Sequence, residues 1–483
     1  MQPGAAPLPG ERGAIAILLG NAMLDTVLIW IEKNKHRWLG DLKQWLAIPS
    51  VSAQSEHDAD TAAAAEWAML NLRGIGLEAK LVATPGHPCV LATTPPELAP
   101  ADAVHVLLYG HYDVQPPEPL EPWQSKPFEP QVRDGKLFAR GATDDKGQVH
   151  AHLAALLAWR EIAQELPVRL TVLLEGEEEI GSPHLPQVLR DHADLLRTAQ
   201  CVVISDCSQF APGVPAITCG LRGLVYYEME VCGPANDLHS GLFGGYVANP
   251  ANALVAMLAR LHDAQGRVCV PTFYDDVELP AESLRRQWAA LPTDDAALAR
   301  QLGVSELWGE AGFTNLERKW CRPTLDINGL TSGYQGAGAK TVLPARASAK
   351  LSMRIVPRQD PAKIGAALEA FVRQITPPGV TVSLKQLSAG PPAITPTDTP
   401  HMQAAAEAVE IGFGKKPVFI REGGSIPVVS WFKDLLGLES LLLGFGLPDD
   451  GAHGPNEKIN LDDYYRGIKT AAALYEKLGA RTL

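Results

Sequence analysis

The chain has 483 residues, 46% hydrophobic and 20% charged, a length that fits roughly two to four domains. It has ample material for a large core, which excludes a disordered chain and a disulfide-stapled mini-protein. With Lys+Arg 42 against Asp+Glu 55 the formal net charge is −13, so no nucleic-acid partner is expected, because such a surface repels phosphates.

Residues 1–20 read as a loose N-terminal extension. Their short apolar run, Ala14 to Leu19, follows Glu11 and Arg12 and lacks the net positive lead of a secretory signal. No apolar run reaches the ~18 residues that span a bilayer, so no membrane partner is expected either. There are 7 cysteines, none in C-x-x-C spacing. An odd count without that spacing argues against a disulfide framework and a thiolate metal site, and points to a reducing, cytoplasmic setting.

Leu24, Val27, Leu28 and Ile31, continued by Trp38, Leu42, Trp45 and Leu46, predict one long helix that ends near Ile48, ahead of Pro49. A second helix is predicted from Thr61 to Leu72. Apolar runs at Val104–Tyr109, Leu170–Leu174, Cys201–Ile204 and Leu441–Leu443 read as buried parallel strands, with a helical stripe at Val149, Leu153, Leu156 and Leu157 between the first two. The middle of the chain alternates instead: Val225, Tyr227, Met229 and Val231 against Tyr226, Glu228 and Glu230, and Ala347 to Ile355 in the same manner. Those are strands with one solvated face. Helices are predicted around Asn252–His262 and Pro361–Ile375, and 270–325 reads as a helical insertion. The expected fold class is α/β: a mixed, mostly parallel sheet flanked by helices over 21–219 and 391–483, with an inserted α+β domain over 220–390, for which a family resemblance implies a lid or dimerisation role. Helices near 400–412 and from Asp462 to Leu478 complete the first domain.

Ligands of open α/β sheets bind at the carboxyl ends of the strands. Here those ends run into His111 and Asp113, into Glu175 to Glu179, into Asp206, and after a short loop into His453; a loop from Arg140 to Gly147 carries Asp144 and Asp145. Taken singly, each has an ordinary reading: a surface histidine, an Asp-Asp pair capping a helix, a solvated Glu run. Together they crowd carboxylates at one sheet edge at a cost of several kcal/mol, which a bound cation removes. Two imidazoles and three carboxylates without a thiolate suit zinc, manganese or cobalt in a catalytic site. Two divalent ions are neutralised by Asp144, Glu179, Asp206 and one bridging hydroxide, whereas a single ion leaves excess negative charge.

Seven stretches in order, Tyr109–Gln115, Arg140–Gly147, Glu175–Ser182, Asp237–Gly241, Lys340–Val342, Arg421–Pro427 and His453–Glu457, resemble the di-zinc metallopeptidases of the carnosinase and cytosolic non-specific dipeptidase family. Glutamate carboxypeptidases, aminoacylases and succinyl-diaminopimelate desuccinylases are relatives. The resemblance runs from about residue 25 onward. It implies that His111 and Asp206 hold one metal, Glu179 and His453 the other, and that Asp144 bridges them. It makes Asp113 the residue that orients the His111 ring and Glu178 the general base. Gly181-Ser182 fixes the Glu-Glu-x-Gly-Ser register, leaving Glu177 as a solvated turn residue. The implied reaction is hydrolysis of a dipeptide by a metal-bridging hydroxide, with Glu178 moving its proton. His239 is implied to stabilise the oxyanion and, with Thr341, to reach in from the partner subunit of a homodimer. Arg354, Gly424 and Ser425 are implied to hold the substrate carboxylate.

The run Gly333 to Thr341 imitates a phosphate-binding loop, but Ala339 separates its last Gly from Lys340 and no strand–loop–helix context surrounds it. His-Glu-x-x-His and Gly-x-Ser-x-Gly are absent from the sequence, which argues against zincins and serine hydrolases. The alternatives left open are an amidase for N-acyl amino acids, a carboxypeptidase, and an inactive binding relative. An intact Glu178 argues against the last.

Overall fold

The computed structural model describes residues 22–424 and 426–480; the expected 1–20 extension and Ser425 lie outside them. Two compact units are present: Gly220–Ile394 with Ile420–Ser430, and the remainder of the chain on either side.

The first unit is built on a mixed sheet. Seven of its nine strands are β1 (Glu78–Val82), β2 (Cys89–Thr93), β3 (His105–His111), β4 (Arg169–Glu175), β5 (Cys201–Ser208), β6 (Ala216–Leu221) and β7 (Ser440–Gly446). They lie in the order β1-β2-β4-β3-β5-β7-β6. The central pairs β4/β3, β3/β5 and β5/β7 are parallel; β1/β2, β2/β4 and β7/β6 are antiparallel. Every residue of β3 and β7 is buried, as continuous apolar runs in a covered parallel sheet require. The helix Leu461–Gly479 packs on Pro400–Phe413 and on Lys146–Ala163, placing Leu153, Leu156, Ile468 and Leu474 in one core with Val106, Leu108 and Leu443.

The expected single N-terminal helix is two, over 22–33 and Lys35–Leu46. The break falls at Asn34, whose side chain donates to the Trp30 carbonyl at 2.8 Å and so competes with the helical ladder. The next helix, Asp58–Ile75, runs straight through Gly74 and stops at Gly76, which holds the left-handed conformation that ends helices (φ 105°).

The second unit has an antiparallel sheet in the order Thr324–Ser332, Arg346–Ile355, Gly223–Cys232, Thr381–Gly390. Val225, Tyr227, Met229 and Val231 join Ala349, Leu351 and Met353 in its own core, beneath the helices Pro250–Leu258 and Pro361–Ile375. Each of those helices begins with Pro at its first turn, after an Asn249 or Asp360 side chain that accepts a backbone N–H. Short helices Glu282–Ala289, Asp295–Leu302 and Asn315–Cys321 fill the insertion.

Candidate metal centre

Strand register sets the first part of the site. Tyr109 of β3 stands opposite Ile204 of β5. Two residues further along, where side chains return to the same face, come His111 and Asp206. His111 Nε2 lies 4.0 Å from Asp206 Oδ2 and 3.1 Å from Asp144 Oδ1. The second oxygen of Asp144 lies 3.0 Å from His453 Nε2, which is also 3.2 Å from Glu179 Oε2. Two groups result, His111–Asp144–Asp206 and Asp144–Glu179–His453; within each, the candidate ligand atoms all lie within 4.8 Å of one another, and Asp144 belongs to both.

Both His111 and Asp206 are strand residues, since β3 ends on His111 and β5 continues to Ser208. Asp144 comes from the loop ahead of the helix Lys146–Ala163. Gly147 is needed there, because a Cβ would lie 1.9 Å from the Ala142 carbonyl oxygen. Asp145 takes the N-cap position without capping the helix through its side chain. It is buried beside the site, with Oδ2 accepting from His111 N at 3.4 Å and Oδ1 without a hydrogen-bond partner among the described residues.

Glu178 and Glu179 sit on a single turn of 3₁₀-helix, Glu178–Ile180. Asp113 ties this turn to the end of β3. Its carboxylate accepts from Glu178 N at 3.2 Å, Glu179 N at 3.1 Å and Ser52 Oγ at 2.7 Å, and lies 3.4 Å from His111 Nδ1. The Asp113 backbone carbonyl is 3.1 Å from the same nitrogen. Gln115 Nε2 donates to Glu179 Oε2 at 2.8 Å.

Glu177 is a correction to the solvated-turn expectation. It is 4% exposed, accepting from His87 N at 3.2 Å and facing His184 Nδ1 at 2.8 Å. Burial and two donors outside the 3₁₀-turn make it a clamp that fixes the turn from behind.

The electrostatics of the group favour a cation. Burial, and then the Asp144 charge, push Asp206 well above the carboxylate range, against the pull of His111. Burial raises Glu178 to about 7, with the carboxylates of Glu179, Asp113 and Asp144 adding to it and His111 opposing. Burial likewise raises Asp145, with Asp206 adding to it. His453 is raised to about 10 by its bonds to Asp144 and Glu179. Positive charge is thus drawn to the two points where each imidazole nitrogen meets carboxylate oxygens. Two imidazoles, three carboxylates and an orphaned buried oxygen on Asp145 fit divalent ions of the zinc, manganese or cobalt type.

The other expected residues belong to the second unit. Leu238 and His239 pair with Leu343 and Val342, and Thr341 accepts from Ser240 N at 3.1 Å, so His239 and Thr341 are brought together. Both are exposed, and His239 Nδ1 accepts from Gly241 N at 3.0 Å. Arg354 is half-buried on its strand, and a Cβ on Gly424 would meet open space. Arg222, which sequence reading missed, donates to the Gly423 carbonyl at 3.1 Å. Burial and the nearby Arg354 push it down to about 10.

Fold and donor set together define a class: an α/β protein with candidate ligands for two metal ions at the carboxyl edge of its sheet. Residues 107–477 match the model of Peptidase family M20/M25/M40, and the chain belongs to that family, as a hydrolase acting on peptide bonds. It is 33% identical over 474 residues to the Cys-Gly metallodipeptidase dug1 of Schizosaccharomyces pombe, covering 95% of this chain and 98% of the relative. It is 32% identical to the human Beta-Ala-His dipeptidase, covering 94% of this chain and 92% of that one. The crystal structure of human carnosine dipeptidase 1 superposes with a TM-score of 0.80 at 30% identity, covering 95% of this chain and 99% of that chain. No helix among the described residues is long and apolar enough to cross a membrane.

Proposed function

We propose that this chain is a metal-dependent dipeptidase holding two divalent ions, zinc first and manganese or cobalt as substitutes. The observation that carries the reading is the pair of ligand groups sharing Asp144, with Glu178 on the same turn as Glu179. His111, Asp144 and Asp206 would hold one zinc-type ion and Asp144, Glu179 and His453 the other; bound there, the ions would supply Lewis acidity and a water of lowered pKa. Glu178 takes a proton and returns it to the leaving amine, a role suited to a carboxyl on the same turn as Glu179. Asp113 fixes the His111 ring through Nδ1, leaving Nε2 for the metal. His239 donates to the developing oxyanion, and Arg354 with Gly424 and Ser425 holds the substrate carboxylate. In this reading the enzyme is a homodimer, with His239 and Thr341 serving the site of the partner subunit. A cytoplasmic location agrees with its seven free cysteines.

The test is a hydrolysis panel of dipeptides, tripeptides and N-acyl amino acids on chelator-stripped protein with zinc, manganese or cobalt restored. Dipeptides are expected to be cleaved fastest, and exclusive turnover of N-acyl amino acids would make the chain an amidase instead. Glu178→Gln is expected to lower kcat by roughly 10²–10⁴-fold while metal content stays at the wild-type level; surviving hydrolysis would overturn the assigned base. His239→Ala mixed with Glu178→Gln should recover part of the lost activity. Confirmed heterodimers without recovery would rule out shared sites.

A further inference from the structure

The phrase that supplies His453 ends in Glu457, a residue used by no step described so far. Glu457 is fully buried, and both of its oxygens are saturated. Oε2 accepts from Arg140 Nη1 at 2.8 Å and from Gly141 N at 2.9 Å. Oε1 accepts from Thr143 N at 2.9 Å and from Asp144 N at 3.1 Å. The Glu457 backbone carbonyl accepts from Ala139 N at 3.1 Å. Three backbone N–H groups of the 141–144 loop therefore converge on one carboxylate, as they would around a bound anion. That carboxylate stands four positions beyond His453 in the chain and is bonded to the backbone of Asp144 itself.

Just outside the two loops, Lys136–Phe138 pairs with Lys458–Asn460; inside them, the Glu457 carboxylate ties the 453–457 loop to the 141–144 loop. Asp144 meets His453 at 3.0 Å, yet these two side chains come from distant parts of the sequence, and the ladder ends at Phe138 and Lys458, leaving the spacing of the two residues to be fixed by other bonds. The Glu457 bonds supply that fixation. We infer that Glu457 is a positioning residue: it sets the distance of Asp144 from His453, and through it the geometry offered to the ion that Asp144, Glu179 and His453 hold. This inference rests on the two-metal reading above.

Glu457→Gln tests it with almost no change of volume. The new amide nitrogen must face two N–H donors on one side of the cradle, so the loop has to move. Zinc binding is read on full-length, chelator-stripped protein by competition with a chromophoric chelator, alongside thermal unfolding of the zinc-free form. At least one of the two zinc equivalents is expected to weaken about 10–100-fold, with kcat falling and KM nearly unchanged. Less stable zinc-free protein that binds both equivalents at wild-type affinity, with kcat within about twofold, would reduce Glu457 to an interior ion pair and overturn the inference. If Glu457→Gln does not fold, Glu457→Asp, which keeps the charge but withdraws it by one methylene, takes the same measurements; wild-type zinc affinity there overturns the inference equally. Wild-type protein that takes up no divalent ion would instead remove the two-metal reading, and this inference with it.

Discussion

The two candidate ligand groups share Asp144 and little else. His111 is 1% exposed and sits at the end of a buried strand, with Asp206 delivered beside it by the register of the neighbouring parallel strand. His453 is 58% exposed and sits on a loop where Gly451, His453 and Asn456 all have positive φ, at 73°, 61° and 61°. A non-glycine residue holds that conformation only when its surroundings over-determine it, and here they do: Gly454 N bonds to the Gly451 carbonyl and Lys458 N to the Asp450 carbonyl. One half of the centre is positioned by sheet geometry and the other by individual polar bonds. The first should be hard to move without unfolding the sheet edge, the second easy to perturb without touching the core.

The largest expected effect separates the halves directly. His111→Ala removes a buried ring and leaves the Asp113, Asp144 and Asp206 carboxylates facing one another. It is expected to lower the stability of zinc-free protein by roughly 2–4 kcal/mol. His453→Ala is expected to cost less than His111→Ala, about 1–2 kcal/mol, because its ring is largely exposed although the Asp144 and Glu179 carboxylates it faces are not, while zinc content drops toward one equivalent. Urea unfolding of chelator-treated proteins, with elemental analysis of the zinc-loaded forms, checks both. Equal losses of stability would break the comparison.

Acid should act on two histidines behind the buried half in a pH window of their own. Behind it, on the helix that follows Asp144 and Asp145, His150 Nδ1 meets Tyr464 OH at 2.7 Å, and His152 lies between Tyr475 OH at 2.8 Å and Ser205 Oγ at 2.7 Å. Burial lowers both histidines from 6.5 to about 3. Between those values the unfolded chain binds protons that the two folded histidines refuse, so their contribution to stability is complete above pH 6.5 and is lost as the pH falls, against the opposite contribution of the raised Glu178 and Asp206 carboxyls. Each histidine should remove up to about 1.4 kcal/mol per pH unit below 6.5. Denaturant midpoints of zinc-free wild-type and His152→Gln protein at pH 7 and pH 5 isolate it: the variant should lose less stability, or gain more, on acidification than the wild type. Equal changes in the two proteins would show that acid acts elsewhere.

The same contrast explains what could be read from the sequence. β3 and β5 were visible as apolar runs, but each is longer than its run, because His111 and Asp206 are polar residues that strand pairing holds in the sheet against their local preference. Alternation over 225–231 and 347–355 identified the second sheet, since one face is packed and one is not. Asp144 and His453 lie on irregular loops without period, where only their arrangement in order with other motif residues marked them. Asn34 broke a helix whose apolar stripe continues unbroken, because hydrophobic spacing does not report a side chain bonding back to its own helix. Asp145 resembled a helix cap and Glu457 the tail of a motif, and the burial of both depends on contacts from far along the chain. Glu457 was still marked by one signal, its place in the phrase His453-Gly-Pro-Asn-Glu.

Glu177 gives the smallest expected effect on turnover and the sharpest check on how the turn carrying Glu178 and Glu179 is held. In a run of three glutamates it looks interchangeable with its neighbours, yet Glu178 and Glu179 turn toward the site while Glu177 turns back to His87 and His184. Glu177→Gln keeps an acceptor for His87 N and weakens the contact to His184. Stability should fall by about 1–2 kcal/mol, and kcat by only a few fold, because Asp113 still holds the backbone of Glu178 and Glu179. A solvated turn residue would change stability by less than about 0.5 kcal/mol, so thermal unfolding of the two proteins side by side decides whether the turn that presents Glu178 and Glu179 is clamped from behind or held by Asp113 alone.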